Sequence, residues 1–364
     1  MSGATGQGGE AAIRGAIAAL VRREDLGAEG MAAVVRAIMA GEATPAQIGA
    51  ILIGLAAKGE TTGEIVGAAT TMREAVIPVP HRRPAIDTCG TGGSGVARRN
   101  VSTAVALAVA ACGVAVAKHG NRGISSRCGS ADVLAALGVD VTAGPEVVGR
   151  SIDAVGVGFL FAPALHPAMK HAAGPRRELG VRTIFNLLGP LTNPAGVRRQ
   201  LVGVFDPSRC VDLARALGDL GSERVAVVHG FRAGIAAAPG SPAGIDDLST
   251  EGESLVAELR GGEVHTRVLR PADAGLPEAS WASLAGEDAA GNAAALRRLC
   301  DGEPGPYRSA VCYSGALALL VAGDDDWDAL PALAARVGAV LDDGSARAVL
   351  ERLVAQSRAT HDAS

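Results

Sequence analysis

Apolar residues recur at three- and four-residue spacing through the first 80 residues. The recurring positions are Ile13, Ile17, Leu20, Val21, Met31, Val34, Val35, Ile38, Ile48, Ile51, Leu52 and Leu55. This spacing places apolar side chains on one face of a helix. Thr44 before Pro45 is typical of an N-cap followed by a first-turn proline, and Thr62 is predicted to begin another helix. The pattern predicts a small helical domain over residues 12–80, preceded by a flexible tail at 1–11.

The pattern changes after residues 78–84, whose three prolines predict a linker. Short β-rich runs then alternate with alanine-rich helical stretches. Strands are predicted at 85–88, 114–118, 201–205, 225–229 and 264–268. Helices are predicted at 102–112, 132–137, 145–155, 210–220, 292–300, 307–321 and 329–356, the last with a break near Gly344. This order predicts an α/β fold: a small N-terminal helical domain plus a large α/β domain over 85–356, with a central, mostly parallel sheet flanked by helices.

Charge and composition narrow the possible partners. The chain has 364 residues, and its 34 Lys and Arg against 38 Asp and Glu leave a formal net charge of −4, which disfavours nucleic acid. Five Phe, two Trp and two Tyr are too few for a base-stacking surface. The longest uncharged apolar run, 103–117, is shorter than the roughly 20 residues of a membrane span. The six cysteines form no metal-ligand spacing and are typical of reduced thiols. We expect a cytoplasmic protein that binds neither membrane nor nucleic acid.

A glycine-rich segment, DTCGTGGSGVARRN at 87–100, follows a predicted strand and precedes a predicted helix. Gly90, Gly92 and Gly93 allow backbone N–H groups to point into one concavity. The helix start adds unpaired N–H groups and a positive dipole end, and Ser102 and Thr103 add hydroxyls. The segment matches neither GxxxxGK[ST] nor GxGxxG, so it predicts an anion site of another kind.

A second polar loop, KHGNRGISSRCGS at 118–130, follows the next predicted strand. The carboxyl ends of parallel strands face one crevice, so both loops are expected to line it. Three cations could balance phosphate charge: Lys118, Arg122 and Arg127. Three polar side chains could orient phosphate oxygens: Asn121, Ser125 and Ser130. A solvated basic loop is the alternative.

Two adjacent acids, Asp246 and Asp247, lie in a later loop. Such pairs are usually solvated. If this loop folds over the phosphate crevice, the carboxylate oxygens would suit Mg²⁺ shared with a diphosphate. The residues alone leave both possibilities open.

A basic segment at 166–180 contains His166, His171 and Arg176. Neither histidine has a partner at the spacing of a catalytic triad or a zinc site. An arginine on a helix facing the crevice could bind a carboxylate bidentately. A charged helix surface is the alternative.

A set of motifs spread along the chain resembles the anthranilate phosphoribosyltransferase family. In order, they are DTCGTGG, NVSTA, KHGNR, SADVLAALG, HPAMKHA, RRELGVRTIFNLLGPLTNPAG and GNAAALRRLCDG, and the resemblance runs from about Ile13 to Arg352. It implies that helices near 163–180 complete the helical domain, through which two copies form a homodimer. It also implies transfer of the 5-phosphoribosyl group of phosphoribosyl pyrophosphate (PRPP) to the amine of anthranilate, with Mg²⁺ assisting release of pyrophosphate, in the second step of tryptophan biosynthesis from chorismate.

The resemblance also implies site residues, with no covalent nucleophile among them. It assigns PRPP binding to Gly90, Gly92, Gly93, Asn100, Ser102, Thr103, Lys118 and Ser130. It assigns the metal to Ser102, Asp246 and Asp247. It assigns anthranilate binding to Gly90, His119, Asn121, His166, Arg176, Gly189 and Pro190.

Three positions depart from the family pattern. Ser94 replaces an aspartate, Asp247 a glutamate, and Ser314 an asparagine, so each loses or shortens a polar group. Three alternatives are a pyrimidine nucleoside phosphorylase-like enzyme, a non-enzymatic nucleic-acid-binding homologue, and a paralogue with a different aromatic amine or carboxylate. KHGNR and NLLGPLTNP favour the anthranilate family over the first, and the net charge disfavours the second.

Overall fold

The computed structural model describes residues 3–92, 98–123, 128–232 and 244–359. Its N-terminal part contains helices α1 (Gly3–Val21), α2 (Gly27–Met39), α3 (Pro45–Lys58) and α4 (Thr62–Glu74), as the apolar spacing predicts. The N-cap prediction at Thr44 is confirmed: its hydroxyl accepts a hydrogen bond from the Gln47 N–H, and its own N–H donates to the Gln47 side chain.

Helix α1 already begins at Gly3, within the segment 1–11 for which the sequence predicts a flexible tail. Ile13, Ala16 and Leu20 bury one face of this helix. Once those turns are packed, each further residue adds to an existing helix and needs no new nucleation. The glycines near the start therefore do not end the helix.

The remainder of the chain alternates strands and helices. The strands are β1 (Ala85–Gly90), β2 (Ala115–Gly120), β3 (Val157–Phe161), β4 (Arg199–Gly203), β5 (Arg224–Phe231), β6 (Gly244–Ile245), β7 (Ser254–Arg260) and β8 (Glu263–Leu269). The helices are α5 (Val101–Ala111), α6 (Ser130–Leu137), α7 (Pro145–Val155), α8 (Ala162–Leu165), α9 (Lys170–Leu179), α10 (Ile184–Leu191), α11 (Arg209–Asp219), α12 (Ala289–Cys300), α13 (Pro306–Ala322), α14 (Leu330–Asp342) and α15 (Ser345–Ser357). The predicted helix break near Gly344 is confirmed, since α14 and α15 flank it.

These strands form one sheet in the order β3-β2-β1-β4-β5-β7-β8, with the short β6 beside β5. The first five strands in this order are parallel, while β6, β7 and β8 pair antiparallel. The predicted α/β class with a mostly parallel sheet is therefore confirmed. The sequence prediction omitted β3, β6 and β7. In β7, the run SLVAELR is nearly all buried and mixes helix formers with Val, so it carries no clear two-residue alternation.

Helices cover both faces of the sheet. On one face, α5, α6 and α12–α15 pack around the fully buried Tyr313. On the other face, α10 and α11 pack on β4 and β5, and the same apolar cluster continues into α1–α4. α9 contacts α2 and α3, which is where the resemblance implies that the 163–180 segment lies. Within the described ranges, no helix combines the length and the apolar character that crossing a bilayer would require.

Candidate functional site

The acidic loop lies across the carboxyl ends of β1 and β4. The Gly92 N–H donates a 2.8 Å hydrogen bond to Asp246 Oδ2. A Cβ atom at Gly90 would lie 2.5 Å from that oxygen, and one at Gly203 would lie 1.9 Å from the Asp246 carbonyl oxygen. Only glycine allows so close an approach. Asp246 is 5% exposed, so the solvated-pair alternative is wrong and the loop does fold over the glycine-rich turn.

Arg98 joins the two acids and was not among the residues predicted from sequence. Its Nη2 lies 2.7 Å from Asp246 Oδ1 and 3.1 Å from Asp247 Oδ2. The pKa of Asp247 is raised to about 6, chiefly by burial; the charge of Arg98 opposes this shift and the charge of Asp246 adds to it. The only sequence signal was an arginine pair inside a glycine-rich turn.

Lys118 lies beneath the same turn, at the end of β2. Its Nζ donates to the Thr88 carbonyl oxygen at 2.6 Å and to Ser102 Oγ at 3.3 Å. Burial lowers the pKa of this ammonium group. Ser102 also lines a small cavity with Thr88, Asp247 and Ser314. The cavity therefore brings together two predicted metal ligands, Ser102 and Asp247, and one residue that departs from the family pattern, Ser314.

The start of α5 is not capped by the side chain at its N-cap position, Asn100. The Asn100 amide donates instead to the Cys128 carbonyl oxygen, and its oxygen accepts from the Asn292 amide. The first-turn N–H groups of α5 therefore lack the side-chain partner that an N-cap usually provides. Among the described residues, Thr103 Oγ1 is also buried without a hydrogen-bond partner.

The second polar loop is only partly described. The Asn121 N–H donates to Ser130 Oγ at 3.2 Å, which joins the end of β2 to the start of α6. Arg122 pairs with Asp132 at 3.1 Å and its side chain is 57% exposed, and its role in balancing phosphate charge stays a prediction. Four predicted residues lie outside the described ranges: Gly93, Ser94, Ser125 and Arg127.

Three of the residues predicted on the anthranilate side come together at the end of β2. His119 Nδ1–H donates to the Gly189 carbonyl oxygen at 3.0 Å, and His119 Nε2 lies 3.2 Å from His166 Nε2. Burial lowers the pKa of His119 to about 3 and that of His166 to about 4. Both rings are therefore neutral near pH 7. Since His119 Nδ1 carries the proton, its Nε2 accepts and His166 Nε2–H donates.

Asp87 supports this arrangement and was also missed. Its carboxylate is fully buried and accepts hydrogen bonds from the His119 N–H at 3.1 Å and from the Asn193 amide at 2.8 Å. Burial raises its pKa, while the charge of Lys118 opposes that shift. An aspartate inside a predicted buried strand was the available signal, because a buried acid requires partners.

The remaining predicted residues are placed less directly. The Arg176 guanidinium on α9 lies 5.3 Å from the centre of the Phe185 ring, and burial lowers its pKa. The Pro190 carbonyl oxygen accepts from Gln200 at 2.8 Å and so holds α10 to β4. In the described part of the chain, no hydrogen bond joins either residue to the histidine pair.

Comparisons with known proteins identify the family of this chain. Models of the glycosyl transferase family match residues 14–76 as its helical bundle domain and 82–347 as its a/b domain. Anthranilate phosphoribosyltransferase of Rhodopseudomonas palustris is 49% identical over 89% of this chain and 92% of its own length. That of Moorella thermoacetica is 48% identical over 94% and 98%.

Solved structures show the same fold. Anthranilate phosphoribosyltransferase of Thermus thermophilus has a TM-score of 0.84 and 44% identity, covering 94% of this chain and 99% of that one. The Saccharomyces cerevisiae enzyme in complex with PRPP and Mg has a TM-score of 0.81 at 22% identity, covering 96% and 98%, a likeness of fold.

Proposed function

The chain belongs to the anthranilate phosphoribosyltransferase family of glycosyl transferases, and we propose from its geometry which residues carry out each part of the reaction. The enzyme transfers the 5-phosphoribosyl group of PRPP to the amine of anthranilate and releases pyrophosphate. The observation that carries the proposed assignment is the hydrogen bond from Gly92 to Asp246, which closes an acidic loop over the glycine-rich turn.

The diphosphate of PRPP is proposed to lie against the glycine-rich turn of Gly90, Gly92 and Gly93 and to bind backbone N–H groups at the first turn of α5. The uncapped helix start and the unpartnered hydroxyl of Thr103 support this placement. The residues proposed to contact the phosphates or ribose are Asn100, Ser102, Thr103, Lys118 and Ser130. Lys118 would add a positive charge beneath the leaving group while remaining anchored to β1.

A divalent cation fits the donor set here. Ser102, Asp246 and Asp247 offer hard oxygen ligands, which Mg²⁺ prefers, and the raised pKa of Asp247 shows that burial beside Asp246 disfavours its charge. The described ranges contain no group of three or more His, Cys, Asp or Glu side chains that could hold a metal, so water, or phosphate oxygens when PRPP is bound, would complete the coordination. When bound, Mg²⁺ would act as a Lewis acid on the diphosphate.

The acceptor is proposed to bind beside the two neutral histidines. These histidines and four neighbouring residues would orient the aromatic amine toward C1 of the ribose, which gains positive charge as pyrophosphate leaves. The six residues are His119, His166, Asn121, Gly189, Pro190 and Gly90. Uncharged imidazoles add no repulsion at that carbon. Arg176 is proposed to bind the carboxylate of anthranilate. An aromatic amine needs little activation, so alignment is the main task of these residues.

The helical part is proposed to serve as the dimer interface. We assign residues 12–80, completed by the helices near 163–180, to the helical domain and the rest of 85–356 to the α/β domain. Val21 on the helical domain is 79% exposed. The exposed positions of α3 include Ala46, Ala50, Ile53 and Ala57, an uncharged stripe at helical spacing. A cytoplasmic location is proposed because all six cysteines are buried thiols outside disulfides, which is typical of a reducing compartment.

Anthranilate fluorescence provides the test. Wild-type protein with PRPP and Mg²⁺ is expected to abolish the fluorescence of anthranilate. Loss of this fluorescence in the absence of PRPP, or no loss in its presence, would contradict the reaction. Asp246→Ala should raise the Mg²⁺ concentration at half-maximal rate by at least about tenfold, since it removes one charged ligand. Glu263→Ala, at an exposed position of β8, is the control. A wild-type rate for Asp246→Ala at limiting Mg²⁺ would contradict the metal assignment.

A further inference from the structure

Arg98 occupies the space between the two acids proposed to bind the metal. One nitrogen, Nη2, is shared between Asp246 Oδ1 at 2.7 Å and Asp247 Oδ2 at 3.1 Å. The Arg98 side chain is 16% exposed, so this contact is shielded from solvent. We propose that Arg98 is an internal cation that competes with the divalent metal for Asp246 and Asp247. The inference rests on the proposed function, because that function assigns the metal to these carboxylates.

The geometry of the contact favours competition over a purely structural ion pair. Arginine usually contacts one carboxylate with two nitrogens. Here, a single nitrogen bridges oxygens from two carboxylates, which is the position a bridging cation would take. The second oxygen of Asp246 is held separately by the Gly92 N–H. That oxygen can therefore stay in place when the arginine leaves.

The surroundings hold the Arg98 backbone, and its side chain also lies near an aromatic ring. The backbone pairs with Ala285, and a Cβ atom at Gly286 would lie 2.3 Å from Arg98 backbone atoms, so the main chain is tightly packed. The guanidinium carbon lies 5.8 Å from the centre of the Trp281 ring, a cation–π distance.

A released arginine would also have a new partner. Arg98 Nη1 is buried and has no hydrogen-bond partner among the described residues. Its N–H groups could donate to a diphosphate oxygen, a strong charge-assisted bond. Arg98 is thus a positioning residue: it neutralises the acids before the metal arrives and sets the metal concentration that the enzyme needs.

Metal binding without substrate tests this inference. Mn²⁺ affinity is measured by electron paramagnetic resonance on wild type, Arg98→Gln, Arg98→Lys and Arg99→Gln. We expect Arg98→Gln to bind Mn²⁺ about tenfold more tightly, because removing the positive charge ends the competition. Arg98→Lys retains the charge and should stay near wild type. Arg99→Gln is the matched control, since the Arg99 guanidinium lies over the Tyr307 ring, 5.3 Å from its centre.

The outcomes separate this inference from the metal assignment itself. If Asp246→Ala weakens Mn²⁺ binding and Arg98→Gln leaves it unchanged, Arg98 does not compete and the inference is overturned. If Asp246→Ala also leaves it unchanged, the metal site of the proposed function is wrong, and the inference falls with it.

A second measurement needs no change at Arg98 and so avoids any folding defect of its variants. In Trp327→Phe, Trp281 is the only tryptophan. Saturating Mg²⁺ should change its fluorescence as the guanidinium leaves the ring. Unchanged Trp281 emission would overturn the inference that the metal displaces Arg98.

Discussion

Replacing Gly90 by alanine puts a methyl group where Asp246 now lies. The added carbon would be 2.5 Å from Asp246 Oδ2 and 3.2 Å from its backbone oxygen. Non-bonded heavy atoms approach favourably at roughly 3.5 Å, so the carboxylate must move by about 1 Å. It cannot do so freely, because Oδ2 is bonded to Gly92 at 2.8 Å and Oδ1 to Arg98 at 2.7 Å.

The size of the effect follows from those two hydrogen bonds. A hydrogen bond to a charged group contributes about 1.5–3 kcal/mol, and Gly90→Ala is expected to lose at least one of them. The free energy of unfolding should therefore fall by roughly 1–3 kcal/mol. The same displacement moves a proposed metal ligand. If the whole loss appears in substrate binding, the KM for PRPP rises about tenfold or more, at about 1.4 kcal/mol for each factor of ten.

The KM is measured by steady-state titration of PRPP at saturating anthranilate. The free energy of unfolding is measured by urea unfolding of the same samples. Gly252→Ala is the control, because a methyl group there meets nothing within 4 Å and its φ is not positive. The KM and the unfolding free energy of Gly252→Ala should match wild type. Wild-type values for Gly90→Ala would refute the reasoning, since they would show that the acidic loop is not held against this strand end.

Two further predictions concern the acceptor side. The pKa values of about 3 for His119 and about 4 for His166 lie below the unfolded value of about 6.5, so the unfolded chain binds more protons below pH 6.5. Stability should be full above pH 6.5 and fall as pH decreases toward 4, by up to about 1.4 kcal/mol per pH unit for each ring. Urea unfolding of wild type and His119→Asn tests this, and an equal slope in both would contradict it. Arg176→Lys should raise the KM for anthranilate about tenfold with little change in the KM for PRPP, because an ammonium cannot bind a carboxylate bidentately. Arg177→Lys, at the exposed neighbouring position, is the control. A raised KM for PRPP with an unchanged KM for anthranilate would disprove the assignment.

Much of the fold could be predicted because its signals are local. The capping box at Thr44 and the helix break near Gly344 depend on residues within a few positions of each other. The glycine-rich turn could likewise be recognised from one segment and its place between strand and helix. Strand β7 could not, because its burial comes from neighbours on both sides and not from its own alternation.

The site residues also fall into those that local sequence predicts and those that it does not. Lys118 and Ser102 follow directly from the strand and helix ends that carry them. Arg98 was missed because its partners lie 148 and 149 positions further along the chain. Asp87 was missed because its role depends on Asn193, 106 positions away. No local pattern distinguishes such residues from an ordinary surface arginine or an ordinary strand aspartate.

The amino-acid sequence alone determined the fold class, the order of most elements and the glycine-rich turn that we propose binds the diphosphate, since each depends on short-range spacing and backbone chemistry. Tertiary structure alone decided that Asp246 is buried against Gly92, that Arg98 contacts both acids, and that His119 and His166 are uncharged. The physical reason is that burial and charge depend on what distant segments bring into contact, and the free energy of a charged group changes most when water is removed from it.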